Sequence, residues 1–201
     1  MTSVTDVANA ALSHCGTRSK IVSIEEDSAE ASACRTHLDL VRDATLRLFD
    51  WNFARMTVEL AALPDPTARW AYKYALPSDC LRLRRLNDRP LAEPVAFCEL
   101  AAGRDSLGAP IAVVLTDLSP ASAIYTARIG DPACWDHGFV DAVTWGLAAR
   151  ICFELTARED RSRTLTGLWQ AASIQAAALS ASENSLSAQP GLPRTLQARR
   201  A

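Results

Sequence analysis

Three groups of side chains in this 201-residue chain carry reactive chemistry. The run Glu25-Glu26-Asp27 holds the paired carboxylates that glycoside hydrolysis needs as acid and base. Six cysteines (Cys15, Cys34, Cys80, Cys98, Cys134, Cys152) and three histidines (His14, His37, His137) are potential metal ligands or nucleophile–base pairs. Arg82, Arg84, Arg85 and Arg89 form a local basic patch of the kind that holds phosphate. None of these groups has the spacing its chemistry requires. The carboxylates sit immediately before a helix, where capping residues belong. No cysteine lies in a CxxC pair, and no histidine stands at ligand spacing from one. The arginines have neither a glycine-rich loop nor an interleaved aromatic platform, so salt-bridging or solvation fits them better. Five tryptophans could stack on sugars, but each falls on a periodic apolar face that reads as core. GxSxG, Walker, GxGxxG, HExxH and EF-hand patterns are missing. The sequence predicts no catalytic residue, no metal and no cofactor.

Composition narrows the class. Hydrophobic residues are 49% and charged residues 22%, which is ordinary for a folded chain. A net charge of -2 gives no overall electrostatic case for nucleic acid. The N-terminus lacks the basic and apolar regions of a signal peptide, which predicts reduced thiols in a protein made in the cytoplasm. No apolar run approaches the roughly 18 residues that would span a membrane.

The elements follow from periodicity. Residues 4–15 read as a helix with Ser3 and Asp6 as its capping box and Gly16 as its stop. Asp27 with Glu30 predicts the cap of a second helix running to about Phe49, with Ala31, Cys34, Leu38, Val41, Leu48 and Phe49 as its stripe and Thr45 interrupting. Its other face carries Arg35, Asp39, Arg42, Asp43 and Arg47, with Arg35–Asp39 and Asp43–Arg47 as i,i+4 pairs. After Trp51 the period changes to 2. Met56, Val58 and Leu60 alternate, as do Trp70, Tyr72, Tyr74 and Leu76, and then the residues from Asp79 to Leu86. Residues 93–100 read as a short strand, and 110–116 with 122–129 as a hairpin turning at Leu118-Ser119-Pro120. Asp131-Pro132 predicts the start of a helix over about 135–155. That helix is apolar nearly all round, and Leu147, Ile151 and Leu155 make its second face. Burying both faces points to a neighbouring subunit. A last helix over 158–185 has Leu165, Leu168, Trp169, Ala172, Ala176 and Leu179 as its stripe. The remaining residues are rich in proline and arginine.

The fold class is therefore α+β. The expected architecture is an antiparallel bundle of about four helices (1–52 and 130–186) with an inserted β-rich domain (53–129). An extended basic tail (187–201) follows. Trp51 and Phe53 are the expected joint between helices and insert.

The wording along residues 4–186 resembles the head-to-tail adaptor family of tailed phages, also called tail tubular protein A. The resemblance rests on a series in fixed order: Ala10-Ala11-Leu12 with Gly16 and Ile21; Ala31 with Cys34; Arg42-Asp43 through Leu46 to Trp51-Asn52-Phe53-Ala54; Trp70 to Pro77 with Asp79-Cys80-Leu81-Arg82; and Tyr125, Asp131-Pro132, Trp135-Asp136, Phe139 and Leu147-Ala148-Ala149. It implies a virion protein at the head–tail junction, a ring of twelve copies docked on the portal protein. The β-rich part would meet the next tail component, a nozzle or tail tube protein, and DNA would pass through the lumen without sequence recognition. The tail residues Leu192, Arg194, Leu196, Arg199 and Arg200 would engage the portal. The charged face (Arg35, Asp39, Arg42, Asp43, Arg47), with Leu147, Ile151 and Leu155, would contact neighbouring subunits. Two other readings remain open. One is a virion-associated peptidoglycan hydrolase, the other a cytoplasmic helical binding module.

Overall fold

The structure, a computed structural model, describes residues 2–64, 69–91, 97–105 and 107–187. The expected tail residues Leu192, Arg194, Leu196, Arg199 and Arg200 lie outside the described residues. The chain is α+β, with four helices and two small antiparallel sheets.

Helix α1 (Val4–Cys15) begins and ends as its sequence predicts. The Ser3 hydroxyl accepts from the Asp6 amide, the Asp6 carboxylate accepts from the Ser3 amide, and Gly16 closes the helix at φ 82°. Helix α2 (Ala29–Leu48) starts later than expected. Its cap is Ser28, whose hydroxyl accepts from the Ala31 amide, and not Asp27. Ser28 is itself held by Glu26, which accepts from its hydroxyl. Thr45 does not interrupt the buried face. It is fully buried because its hydroxyl donates to the Val41 carbonyl, satisfying itself within the helix, while Leu48 turns outward.

The first sheet runs in the order β1-β8-β4-β5, from β1 (Arg55–Glu59), β8 (Ser122–Ala127), β4 (Cys80–Leu86) and β5 (Arg89–Pro90). The second runs β2-β3-β7-β6, from β2 (Ala62–Leu63), β3 (Tyr72–Ala75), β7 (Pro110–Thr116) and β6 (Cys98–Arg104). The expected hairpin of 110–116 with 122–129 does not form, because β7 and β8 belong to different sheets. Both strands bury an apolar face, and they bury it against each other's sheet rather than side by side. The crossing at residues 118–120 is tied down: Tyr74 donates to the Leu118 carbonyl and Asn87 to the Pro120 carbonyl. The true hairpin is β6–β7, and its turn is braced by Asp105, which accepts from the Leu107 and Ala109 amides. Of the alternating apolar residues, Trp70 and Tyr74 are buried, whereas Tyr72 and Met56 are exposed.

Asp131-Pro132 opens only a 3-10 turn, Pro132–Cys134. Trp135 is extended and donates its indole N–H to the Ile129 carbonyl, so α3 (His137–Thr156) starts afresh, capped by Asp136. Helix α4 (Glu159–Ser187) follows. Helices α1, α2 and α4 all pack on α3, and the approach is close. A Cβ on Gly146 would lie 2.7 Å from Val41 and 2.9 Å from Trp169; one on Gly138 would lie 2.8 Å from Ala176. Helix α3 is therefore enclosed over most of its apolar surface within one chain, with Phe153 left 56% exposed. One apolar core lies among the helices and a second lies between the sheets.

Candidate functional site

Of the carboxylates at 25–27, Glu26 braces a loop. Glu26 accepts from the Val22 and Ser23 amides and from the Ser28 hydroxyl, and these bonds lower its pKa. A carboxyl held ionised in this way is a poor general acid. Arg35, on α2, donates to the carbonyls of Ile24 and Glu26 and closes the same loop.

Cys15, Cys34 and Cys152 lie together in the helical core, with the Cys15 and Cys152 side chains in hydrogen-bond contact. Cys15, Cys34 and Cys152 are buried, and burial pushes the Cys15 thiol up to about 12 and that of Cys34 up to about 11. His14 stacks on Trp145 with ring centroids 3.7 Å apart, and burial lowers its pKa. Its carbonyl accepts two N–H bonds from Arg161, which clamps the end of α1 to α4. His37 lies 3.5 Å from Glu154, and His137 opens α3. Among the described residues no group of three or more such side chains could hold a metal ion. No described helix is long and apolar enough to cross a membrane.

The arginine patch has a structural job. Arg82 donates to the Arg47 carbonyl. Arg84 donates to the carbonyls of Leu46, Arg47 and Phe49 and to the Thr126 hydroxyl. These are the orphan carbonyls at the C-terminus of α2, where the helix dipole also favours cations. Arg47 returns a bond to the Leu81 carbonyl. Two arginines of β4 thus fasten the first sheet to α2. Nothing in the spacing announces this, because the partners lie more than thirty residues apart.

The joint is aromatic on its other side. Trp51 is fully buried and donates its indole N–H to the Thr45 carbonyl. Its ring packs edge-on to Phe139 at 5.1 Å, and Phe53 meets Phe139 at 5.0 Å. Asn52 completes the junction. Its amide donates to the Ser180 hydroxyl and its side chain to the Ser180 carbonyl, tying the start of the β-rich region to α4.

The charged face of α2 works mostly inside the chain. The expected i,i+4 pairs are replaced by other partners. Arg42 is buried and bonds both Asp39 and Asp43 at 2.8 Å, and Asp43 also accepts from Arg128 at 2.9 Å. Arg35 serves the carbonyls of Ile24 and Glu26 in the loop before α2, and Arg47 serves the Leu81 carbonyl of β4. Leu147 and Ile151 are fully buried in the chain's own core and offer no surface to a neighbour, while Leu155 packs on that core from its edge.

Helix α4 differs from its predicted orientation, and the difference exposes a surface. Leu168 and Leu179, expected in the stripe, are 42% and 58% exposed. Ser173 and Ser180 are buried in their place. Small side chains let α4 approach α3, as the Gly138–Ala176 contact shows. The outer face therefore carries Leu168, Ala171, Ile174, Ala178 and Leu179, with Ile174 64% exposed. Between Arg163 and Glu183 the helix has no charged residue at all. That charge-free stretch is the signal by which sequence reasoning could have found this face.

No family model matches the chain, and no curated protein matches it.

Proposed function

We propose that the chain is a structural head-to-tail adaptor of a tailed phage. Copies of it form a ring, twelve by the family resemblance, that docks on the portal protein, extends the DNA channel and presents an attachment site for the next tail component. In this reading the helices act as an antiparallel bundle beneath the portal, and the basic residues 188–201 engage it.

The observation that carries the reading is the outer face of α4. Leucines placed outward on a charge-free stretch of helix are costly in water unless a partner covers them. A second apolar exposure lies on α2 and α3, at Leu40 and Phe153, which are 61% and 56% exposed. Two different apolar surfaces on one chain suit a head-to-tail contact between copies, and such contacts close into rings. The sequence wording supports the same conclusion, and Glu26, one carboxylate of the hydrolase reading, is occupied in bracing a loop.

The test is the mass of a mixture with purified portal. The 21.7 kDa chain should join the portal in a stoichiometric ring complex. Failure to bind portal at any ratio would overturn the proposal.

A further inference from the structure

The two sheets face each other across a core that is filled at one end and open at the other. Val114 is fully buried there with Tyr74, Leu83 and Tyr125. Leu100 pairs with Val114 in register and shares its face of the sheet, and Ala112 lies two residues along on that face. Yet Leu100 is 55% exposed and Ala112 is exposed too. Between them and Leu83 lies a cleft of about 740 Å³. The space has the apolar walls of a sandwich core, and among the described residues no side chain fills it.

The mouth of the cleft is cationic. Arg47, Arg82 and Arg84 line it, and among the described residues no carboxylate does. Among the described residues, no carboxylate pairs with any of the three, and their bonds go to carbonyls and one hydroxyl. Asp50, whose charge acts on Arg84, is held by Arg55 at 3.0 Å. Strand edges flank the opening. Among the described residues, 80–84 of β4 are paired on one side only, with β8, and β6 is paired only with β7. An unpaired edge is a template for another extended chain.

We propose that this cleft is the docking site for an extended acidic and apolar segment of a partner polypeptide. The partner strand lies along the β6 edge, sets an apolar side chain between Leu83 and Leu100, and places carboxylates on Arg47 and Arg82. Charge selects the occupant. Residues 188–201 of this chain carry three arginines and no acidic side chain, so the cationic mouth repels them. The inference stands on the cleft alone and holds whether or not the chain is an adaptor.

The test uses the full chain and a fluorescent hexapeptide of alternating leucine and glutamate, with binding read by anisotropy. Saturable binding is expected. It should weaken about tenfold or more when glutamine replaces glutamate, and it should weaken on raising salt. Leu100→Asp, at an exposed position, and Ala112→Trp, which fills the cleft, should each abolish it while the far-ultraviolet spectrum stays unchanged. Equal binding of the glutamine peptide, or binding that both variants retain, overturns the proposal. So does an absence of binding, or a result in which decanoate occupies the cleft and the peptide does not. Portal binding is read separately, so a negative result here leaves the adaptor reading standing, and the converse holds.

Discussion

At the scale of single residues, the arginines changed meaning most. Arg84 looks like one member of a basic patch, but its guanidinium gathers the last carbonyls of α2 and the Thr126 hydroxyl. Arg84→Ala should lower stability by about 2 kcal/mol, since hydrogen bonds to charged groups are each worth about 1.5–3 before solvent screening. Lysine should not rescue it, because one ammonium cannot reproduce the planar fork. The urea midpoints of the two variants check this. Asp6 and Glu26 make a second case. Both carboxyls are held below their ordinary values, Asp6 first by the Ser3 amide and Glu26 first by the Val22 amide. A depressed folded pKa stabilises the fold above the unfolded value and loses that effect as pH falls. Stability should therefore drop as the pH is lowered through about 4.5 and below. Asp6→Asn should flatten that slope in urea titrations between pH 7 and pH 3.

At the scale of elements, the helices were the most legible. The cap and stop of α1 follow from Ser3, Asp6 and Gly16, because a capping box is a local arrangement. Local rules misplaced other starts by one to a few residues, at Asp27 against Ser28 and at Asp131 against Asp136, because neighbouring acceptors compete and tertiary contacts choose between them. Strand alternation was readable, but strand partners were not: the same pattern in 110–116 and 122–127 fits a hairpin or two facing sheets equally. The packing of α3 gives a sharp test. Alanine is a better helix former than glycine by about 1 kcal/mol. Gly146→Ala should nonetheless destabilise the chain by about 1–3 kcal/mol, because its methyl meets Val41 and Trp169. A thermal melt reads the sign. A rise in midpoint would mean that the α2–α3–α4 contact is looser than the structure has it.

At the scale of the whole molecule, the argument turns on which apolar faces the chain covers for itself. The all-round apolar character of α3 suggested a subunit contact through Leu147, Ile151 and Leu155, but α1, α2 and α4 already enclose most of it. The uncovered surface is the outer face of α4. Ile174→Glu with Leu179→Glu should leave the isolated chain as stable as before, within about 0.5 kcal/mol, since both side chains face solvent. In the adaptor reading the same pair should abolish ring formation on the portal, measured as the mass of the complex. Rings that form normally with this variant would remove α4 from the contact.

The sequence by itself determined the α+β class, the four helices and the absence of catalytic spacing, because helix periodicity, caps and motif spacing are properties of residues close together in the chain. Tertiary structure decided the pairing of β7 with β6, the use of Arg82 and Arg84 as clasps on α2, the burial of Arg42 and the outward turn of Leu168 and Leu179. Each of these depends on groups far apart in sequence meeting in space. A helix with more than one apolar face can bury only the face that its neighbours fit, and in α4 the small residues made that choice.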